Sequence, residues 1–271
     1  MSAPSFVRDL AGRFIGGEDL AEVVSKAERF ADDGFSIAIA PIDLSRDQLS
    51  GLIARIRLAR LTDVVELSLR MSTLGETPRS RRSAVHAIAE EAAPMNVILE
   101  AEGSIDEELS VVMDNLTAFP GLGLTIAANQ RRSEADCKEF AKTTARVRLV
   151  KGAFPSKSAM AYSNGPELDK AYVRCLKVLM AGTCRPMIAT HDDRLLEIAS
   201  ALAARNGRKQ GSYEFDFYVG VANKLAERIV ERGDDVRLYL PYGEGWSNFL
   251  LSRLAVRPAN VGLLVKGLTS R

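Results

Sequence analysis

The chain has 271 residues, a net charge of +1 and 46% hydrophobic residues. That length can bury a full core, and alternating α/β barrels of this size are commonly one domain. The balanced charge leaves no basic stripe dense enough for nucleic acid, Arg79, Arg81 and Arg82 reading as a solvated loop or helix start, and no apolar run is long enough to span a bilayer.

Met1 to Phe14 lacks the apolar stretch of a signal peptide. Three scattered cysteines, Cys137, Cys175 and Cys184, have no metal-type spacing and read as reduced thiols of a cytoplasmic protein. With only His86 and His191, a histidine-based metal site is not expected.

In chain order, residues 1–30 read as an N-terminal helical segment, with Gly16-Gly17 setting off a short leading piece. Short apolar runs then alternate with longer amphipathic segments. The runs are Phe35 to Ile39, Val64 to Leu69, Asn96 to Glu100, Gly121 to Ala127, Arg146 to Val150, Pro186 to Thr190, Tyr213 to Tyr218 and Val236 to Leu240. Segments between them, such as RDQLSGLIARIRLAR and DRLLEIASALAARN, have helical periodicity. Strand alternating with helix implies parallel pairing, and eight such runs predict closure into a single (β/α)8, TIM-like barrel of distorted outline. An open doubly wound sheet is the alternative. Pro41-Ile42-Asp43-Leu44 follows the first strand where a dinucleotide fold would carry its glycine-rich turn, which argues against the Rossmann version. After the last strand, Pro241, Gly243 and Gly245 predict a turn. A helix from Trp246 carries Arg253 and ends before Pro258. The basic tail, Lys266 to Arg271, reads as a frayed end.

In such barrels chemistry sits at the carboxyl ends of the strands. The polar candidates there are Arg70, Glu100, Arg148, Lys151, His191, Glu214 and Tyr239. Tyr239 and Arg253 on one rim suggest a site for a small anion, the plain alternative being a solvated arginine. Arg148 lies within an apolar strand, where an unpaired charge costs several kcal/mol. It either pairs with Glu100 or Glu66 inside the barrel, or stabilises an anionic flavin or a negative substrate group. His191 has no serine or cysteine in a nucleophile turn beside it, so a hydrolase triad lacks support. A metal-dependent aldolase would need a carboxylate or histidine cluster that is not found.

These motifs resemble the proline dehydrogenase family. The C-terminal pattern R-x-Y-x-P-Y-G is met by Arg237, Tyr239 and Pro241-Tyr242-Gly243, followed by Ser252-Arg253 and Arg257-Pro258-Ala259-Asn260. R-L-V-K-G-A covers Arg148 to Ala153, with Phe154 replacing a common tyrosine. A-T-H-D covers Ala189 to Asp192, and the family's Y-E-F-Q falls on Tyr213 to Asp216. Besides Phe154, further positions depart from the family pattern. Arg70 stands for a substrate-binding lysine, Glu100 for an aspartate, Ala127 for a flavin-binding glutamine, Asn129 for a tyrosine and Ser252 for the first of two arginines.

The resemblance implies FAD as cofactor, with Leu99, Ala127, Arg148, Lys151, Gly152, Ala153, Thr190, His191 and Glu214 at cofactor-binding positions. Glu214 would face either the barrel or the adenosine side. It implies hydride transfer from L-proline or a related cyclic amino acid to the flavin, giving an imine of the pyrroline-5-carboxylate type. Arg70 and Arg253 would hold the substrate carboxylate. Ser252 would make a weaker hydrogen bond, Tyr239 would pack over the ring, and Glu100 would orient Arg148 or the amine. A membrane quinone as acceptor, and so peripheral contact with the inner membrane, is also implied. The departures gather at the site, which points to retained flavin chemistry with an altered substrate. The alternative is a degenerate barrel that binds a ligand or partner without turnover.

Overall fold

The computed structural model describes residues 12–100, 105–152, 160–162 and 165–247. Its strands are β1 (Ser36–Pro41), β2 (Val65–Arg70), β3 (Asn96–Glu100), β4 (Leu122–Ala127), β5 (Arg146–Val150), β6 (Arg185–Ala189), β7 (Glu214–Tyr218) and β8 (Val236–Tyr242). The helices are α1 (Leu20–Asp32), α2 (Arg46–Leu58), α3 (Pro78–Ala92), α4 (Ile105–Asn115), α5 (Ser133–Phe140), α6 (Pro166–Ala181), α7 (Asp193–Arg205) and α8 (Asn223–Glu231). Strands follow one another in sequence order and the ladder closes as a barrel, which confirms the (β/α)8 class and excludes the open sheet.

Local chemistry starts the helices where it should. Asp19 caps α1 by accepting from the Glu22 N–H, while Ser45 with Gln48 and Thr77 with Ser80 form reciprocal capping boxes on α2 and α3. Pro78 adds the φ preference suited to a first helical turn. Among the described residues, the expected N-terminal helical segment holds a helix from Leu20 to Asp32, after Gly17 at φ 124°. Residues 1–11 lie outside the described residues.

The chain forms two compact units. The first comprises Met1–Ser68 and Phe217–Arg271. In it β1 runs parallel to β8 from Ser36↔Arg237 to Pro41↔Tyr242, and parallel to β2 from Ile37↔Val65 to Ile39↔Leu67. Register partners share a face, so Ala38, Glu66 and Tyr239 lie together, with Arg237 one alternation earlier on β8. The opposite face carries Ile37, Ile39, Leu67 and Leu240, all fully buried. Val23, Val24 and Ala27 of α1 and Leu52, Ile53 and Ile56 of α2 supply the helical side of this core. Each such aliphatic side chain contributes about 1.5–3 kcal/mol on leaving water.

Strand β8 extends through Pro241 to Tyr242, two residues beyond the expected run. Proline is tolerated there because it lacks only a donor, and its carbonyl accepts from the Gly16 N–H at 2.6 Å. The turn begins at Gly243, whose φ of 126° suits glycine. The helix expected from Trp246 lies outside the described residues beyond Ser247, as does the basic tail.

The second unit is Leu69–Asp216. Register there aligns Ala127↔Val150↔Ala189↔Asp216, and one alternation earlier Thr125↔Arg148↔Met187↔Glu214. These residues share one face. The other face carries Leu99, Leu124, Leu149 and Ile188, fully buried beneath helices such as α6, whose Tyr172 donates its hydroxyl hydrogen to the Leu149 carbonyl at 3.1 Å. The strands therefore divide their residues by period two, with aliphatics toward the helices and charges toward the barrel interior.

Candidate active site

In the second unit, β5 and β7 exchange two buried ion pairs across the inner face of β6. Arg146 Nη2 donates to Glu214 Oε1 at 2.8 Å, and Arg148 Nε donates to Asp216 Oδ2 at 2.7 Å. Arg185 of β6 donates to the second Glu214 oxygen at 3.0 Å. All but Arg185 have side chains no more than 7% exposed, so each charge is matched where water is scarce. Arg148 thus pairs with Asp216, an acid beyond the Glu66 and Glu100 weighed from the sequence. Glu66 is bound by Arg237 at 3.3 Å within the first unit. The acid that meets Arg148 comes from β7, whose Glu214 and Asp216 repeat the two-residue spacing of Arg146 and Arg148.

Glu214 is the first residue of β7, at the amino end of the strand and not the carboxyl end where the sequence reading had grouped it. It faces the barrel, bridging two arginines that also open their strands, Arg146 and Arg185. That placement serves the barrel floor and leaves the adenosine-side alternative without support. The side chain of Leu99, by its register with Leu124, lies on the helix-facing side and is fully buried.

Toward the carboxyl ends, Ala127, Val150 and Ala189 stand side by side. Their small side chains form a flat apolar row, and Asp216, bonded to Arg148, closes one end. Ala127, where the family pattern has glutamine, belongs to this row. On this side Thr125 Oγ1 and Asn129 Oδ1 are buried with no hydrogen-bond partner. Asn129 packs over Gly152 so closely that a Cβ there would lie 2.8 Å from its amide carbon. A planar ring with donors at its edge fits such a surface, because it covers the row and offers partners to the unsatisfied oxygens. Residues present thus suit an isoalloxazine.

Lys151 points elsewhere. Its ammonium lies 2.7 Å from Asp169 in the first turn of α6 and 3.0 Å from Asp192, the N-cap of α7. Arg194 joins the same Asp169 at 3.0 Å. Burial alone would raise the Asp192 pKa, but the Lys151 contact and backbone N–H groups hold it below the usual aspartate value. Thr190 is buried just past β6 and its hydroxyl accepts from the Asp192 N–H at 3.3 Å. Burial lowers the pKa of His191 to about 4, so the imidazole is neutral near pH 7.

Arg70 and Glu100 end β2 and β3 as expected, with Arg70 half-buried and Glu100 5% exposed. In the first unit, Tyr239 packs with Tyr218, ring centroids 5.6 Å apart, beside Ile15, Ile42 and Trp246. Trp246 donates its indole N–H to Glu18 at 2.7 Å. Sequence reasoning passed over Tyr218, Asp216, Arg146 and Arg185. A signal existed for two of them: R-V-R on β5 and E-F-D on β7 carry opposite charges at identical spacing. Ala153, Phe154, Ser252, Arg253 and the R-P-A-N segment lie outside the described residues. Among the described residues, no group of His, Cys, Asp or Glu is placed to hold a metal, no helix is long and apolar enough to cross a membrane, and all three cysteines are free and buried.

A family model described as proline dehydrogenase matches residues 18–254. The chain belongs to the proline dehydrogenase family. Among its relatives, proline dehydrogenase 2 of Bacillus subtilis (strain 168) is 25% identical over 97% of this chain and 92% of its own length. Proline dehydrogenase of Deinococcus radiodurans is 22% identical over 96% and 90%. The fold is similar to that of proline utilization A (PutA) from Bdellovibrio bacteriovorus inactivated by N-propargylglycine, with a TM-score of 0.81 at 23% identity over 92% of this chain. This proline dehydrogenase family chain spans 32% of that longer protein.

Proposed function

We propose that the chain is a flavin-dependent proline dehydrogenase that binds FAD and oxidises L-proline or a close cyclic relative to the imine. The observation that carries this reading is the apolar row Ala127–Val150–Ala189, flanked by the fixed Arg148 cation and two unsatisfied oxygens. FAD bound there would supply the hydride acceptor for the carbon beside the substrate nitrogen.

The protein's own groups supply position and field. Arg148, held by Asp216, presents a cation to the cofactor seat without having to reorganise. Arg70 provides a planar fork for the substrate carboxylate. Arg253 would complete that grip, with Ser252 giving a weaker hydrogen bond, a reading that rests on the family pattern. Tyr239 would limit the size of the ring, and Glu100 would orient the amine. Gly152 and Ala153 would lie along the cofactor, and Thr190 and neutral His191 would touch it. Electrons would pass on to a quinone at a membrane surface from a cytoplasmic protein.

Membership of the family over residues 18–254 supports this reading, as does the length shared with the bacillar enzymes. The test is a spectral titration of purified protein after incubation with FAD. Uptake of flavin, and anaerobic loss of its absorbance on adding L-proline or hydroxyproline, is expected. A folded protein that takes up no FAD would instead support a binding module without turnover.

A further inference from the structure

We infer that Asp216 is a positioning residue for Arg148 and sets how much of that cation's charge reaches the cofactor. The inference rests on the proposed reading that FAD lies on the Ala127–Val150–Ala189 row. Arg148 and Asp216 are 4% and 3% exposed, and their contact of 2.7 Å is a charge-assisted hydrogen bond. Register places Asp216 level with Ala189 at the end of the row, while Arg148 precedes Val150 by two residues on β5. The pair therefore borders the seat itself.

Two consequences follow from this geometry. The hydrogen bond to Nε helps fix the rotamer of a long side chain. The carboxylate also partly cancels the guanidinium's charge in a region of low dielectric, where neither is screened by water. A neutral partner such as glutamine, which the family pattern carries at this position, would give the first effect without the second. Glu214 provides a contrast within the same strand. It is shared by two arginines at the amino end of the barrel. Asp216 instead tempers the cation nearest the seat, so a reduced, negatively charged flavin gains less from Arg148 than it would beside a neutral partner.

The experiment compares full-length wild type, D216N, D216Q and D216E, each incubated with FAD. It measures flavin content, thermal melting and the midpoint potential of the bound flavin. In D216N and D216Q, the equilibrium should shift toward reduced flavin by about tenfold, a rise of roughly 30 mV for a two-electron couple. D216E should keep the wild-type potential. Unchanged potentials in flavin-bearing, folded D216N and D216Q would overturn the inference and leave the functional reading intact. If only D216E folds, or if the neutral variants fold but lose FAD, Asp216 is structural and the inference is again overturned. A wild type that takes up no FAD would sink both.

Discussion

Replacing Glu214 with glutamine tests the barrel's charged floor. Glu214 is 1% exposed and receives Arg146 at 2.8 Å and Arg185 at 3.0 Å. Glutamine keeps the shape but offers one acceptor oxygen, turns an N–H pair toward a guanidinium, and removes the negative charge. Arg185's side chain is 31% exposed, so water screens that leg and it contributes less than about 1 kcal/mol. Arg146, at 7%, loses its carboxylate in the interior, and removing one partner of such a pair costs about 3–5 kcal/mol. The expected loss for Glu214→Gln is therefore about 3 kcal/mol, read as a lower urea midpoint at pH 7. For a chain of this size it corresponds to a fall in Tm of roughly 6–12 °C. Replacing both charges, as in R146M/E214L, should cost clearly less than the two single changes together, by about 1–3 kcal/mol of coupling. A loss below about 1 kcal/mol for Glu214→Gln, or strict additivity in the double variant, would refute the reasoning.

Three other outcomes are expected. His191 is neutral in the folded protein, with a pKa of about 4 against an ordinary 6.5, so unfolding takes up a proton between those pH values. Stability from this source is complete above about pH 6.5 and declines as pH falls toward 4, by at most about 2 kcal/mol between pH 7 and 5; His191→Gln should flatten that part of a urea-midpoint profile. Gly123→Ala would place a Cβ 2.3 Å from the Arg146 carbonyl oxygen and 2.8 Å from Ile98 Cδ1, forcing β4 from β5 at a cost of about 1–3 kcal/mol; an unchanged melting temperature would contradict that packing. Arg70→Met should raise KM for proline at least tenfold, about 1.4 kcal/mol, with little change in melting temperature; an unchanged KM would remove Arg70 from the substrate site.

Much of the fold was legible because its signals are local. Every expected strand overlaps an observed one, and capping residues such as Ser45 and Thr77 stand where their helices begin. The end of β8 was misjudged, since Pro241 signals a turn to a local reading but sits in the ladder opposite Ala40. Candidate residues fared according to how far away their partners lay. Arg70 and Glu100 end their strands as expected. Lys151 was read as lying along the cofactor, yet it is held by Asp169 and Asp192, acids 18 and 41 residues away.

The amino-acid order alone determined the alternation of strand and helix, the period-two placement of Arg146 with Arg148 and of Glu214 with Asp216, and the motifs of the family. Which acid meets which arginine was decided only in three dimensions. Both pairs join residues 68 positions apart, and β6 lies between their strands. Side-chain alternation is a property of one strand, whereas the match between two strands depends on their register and on the closing of the sheet, which no short stretch of chain encodes.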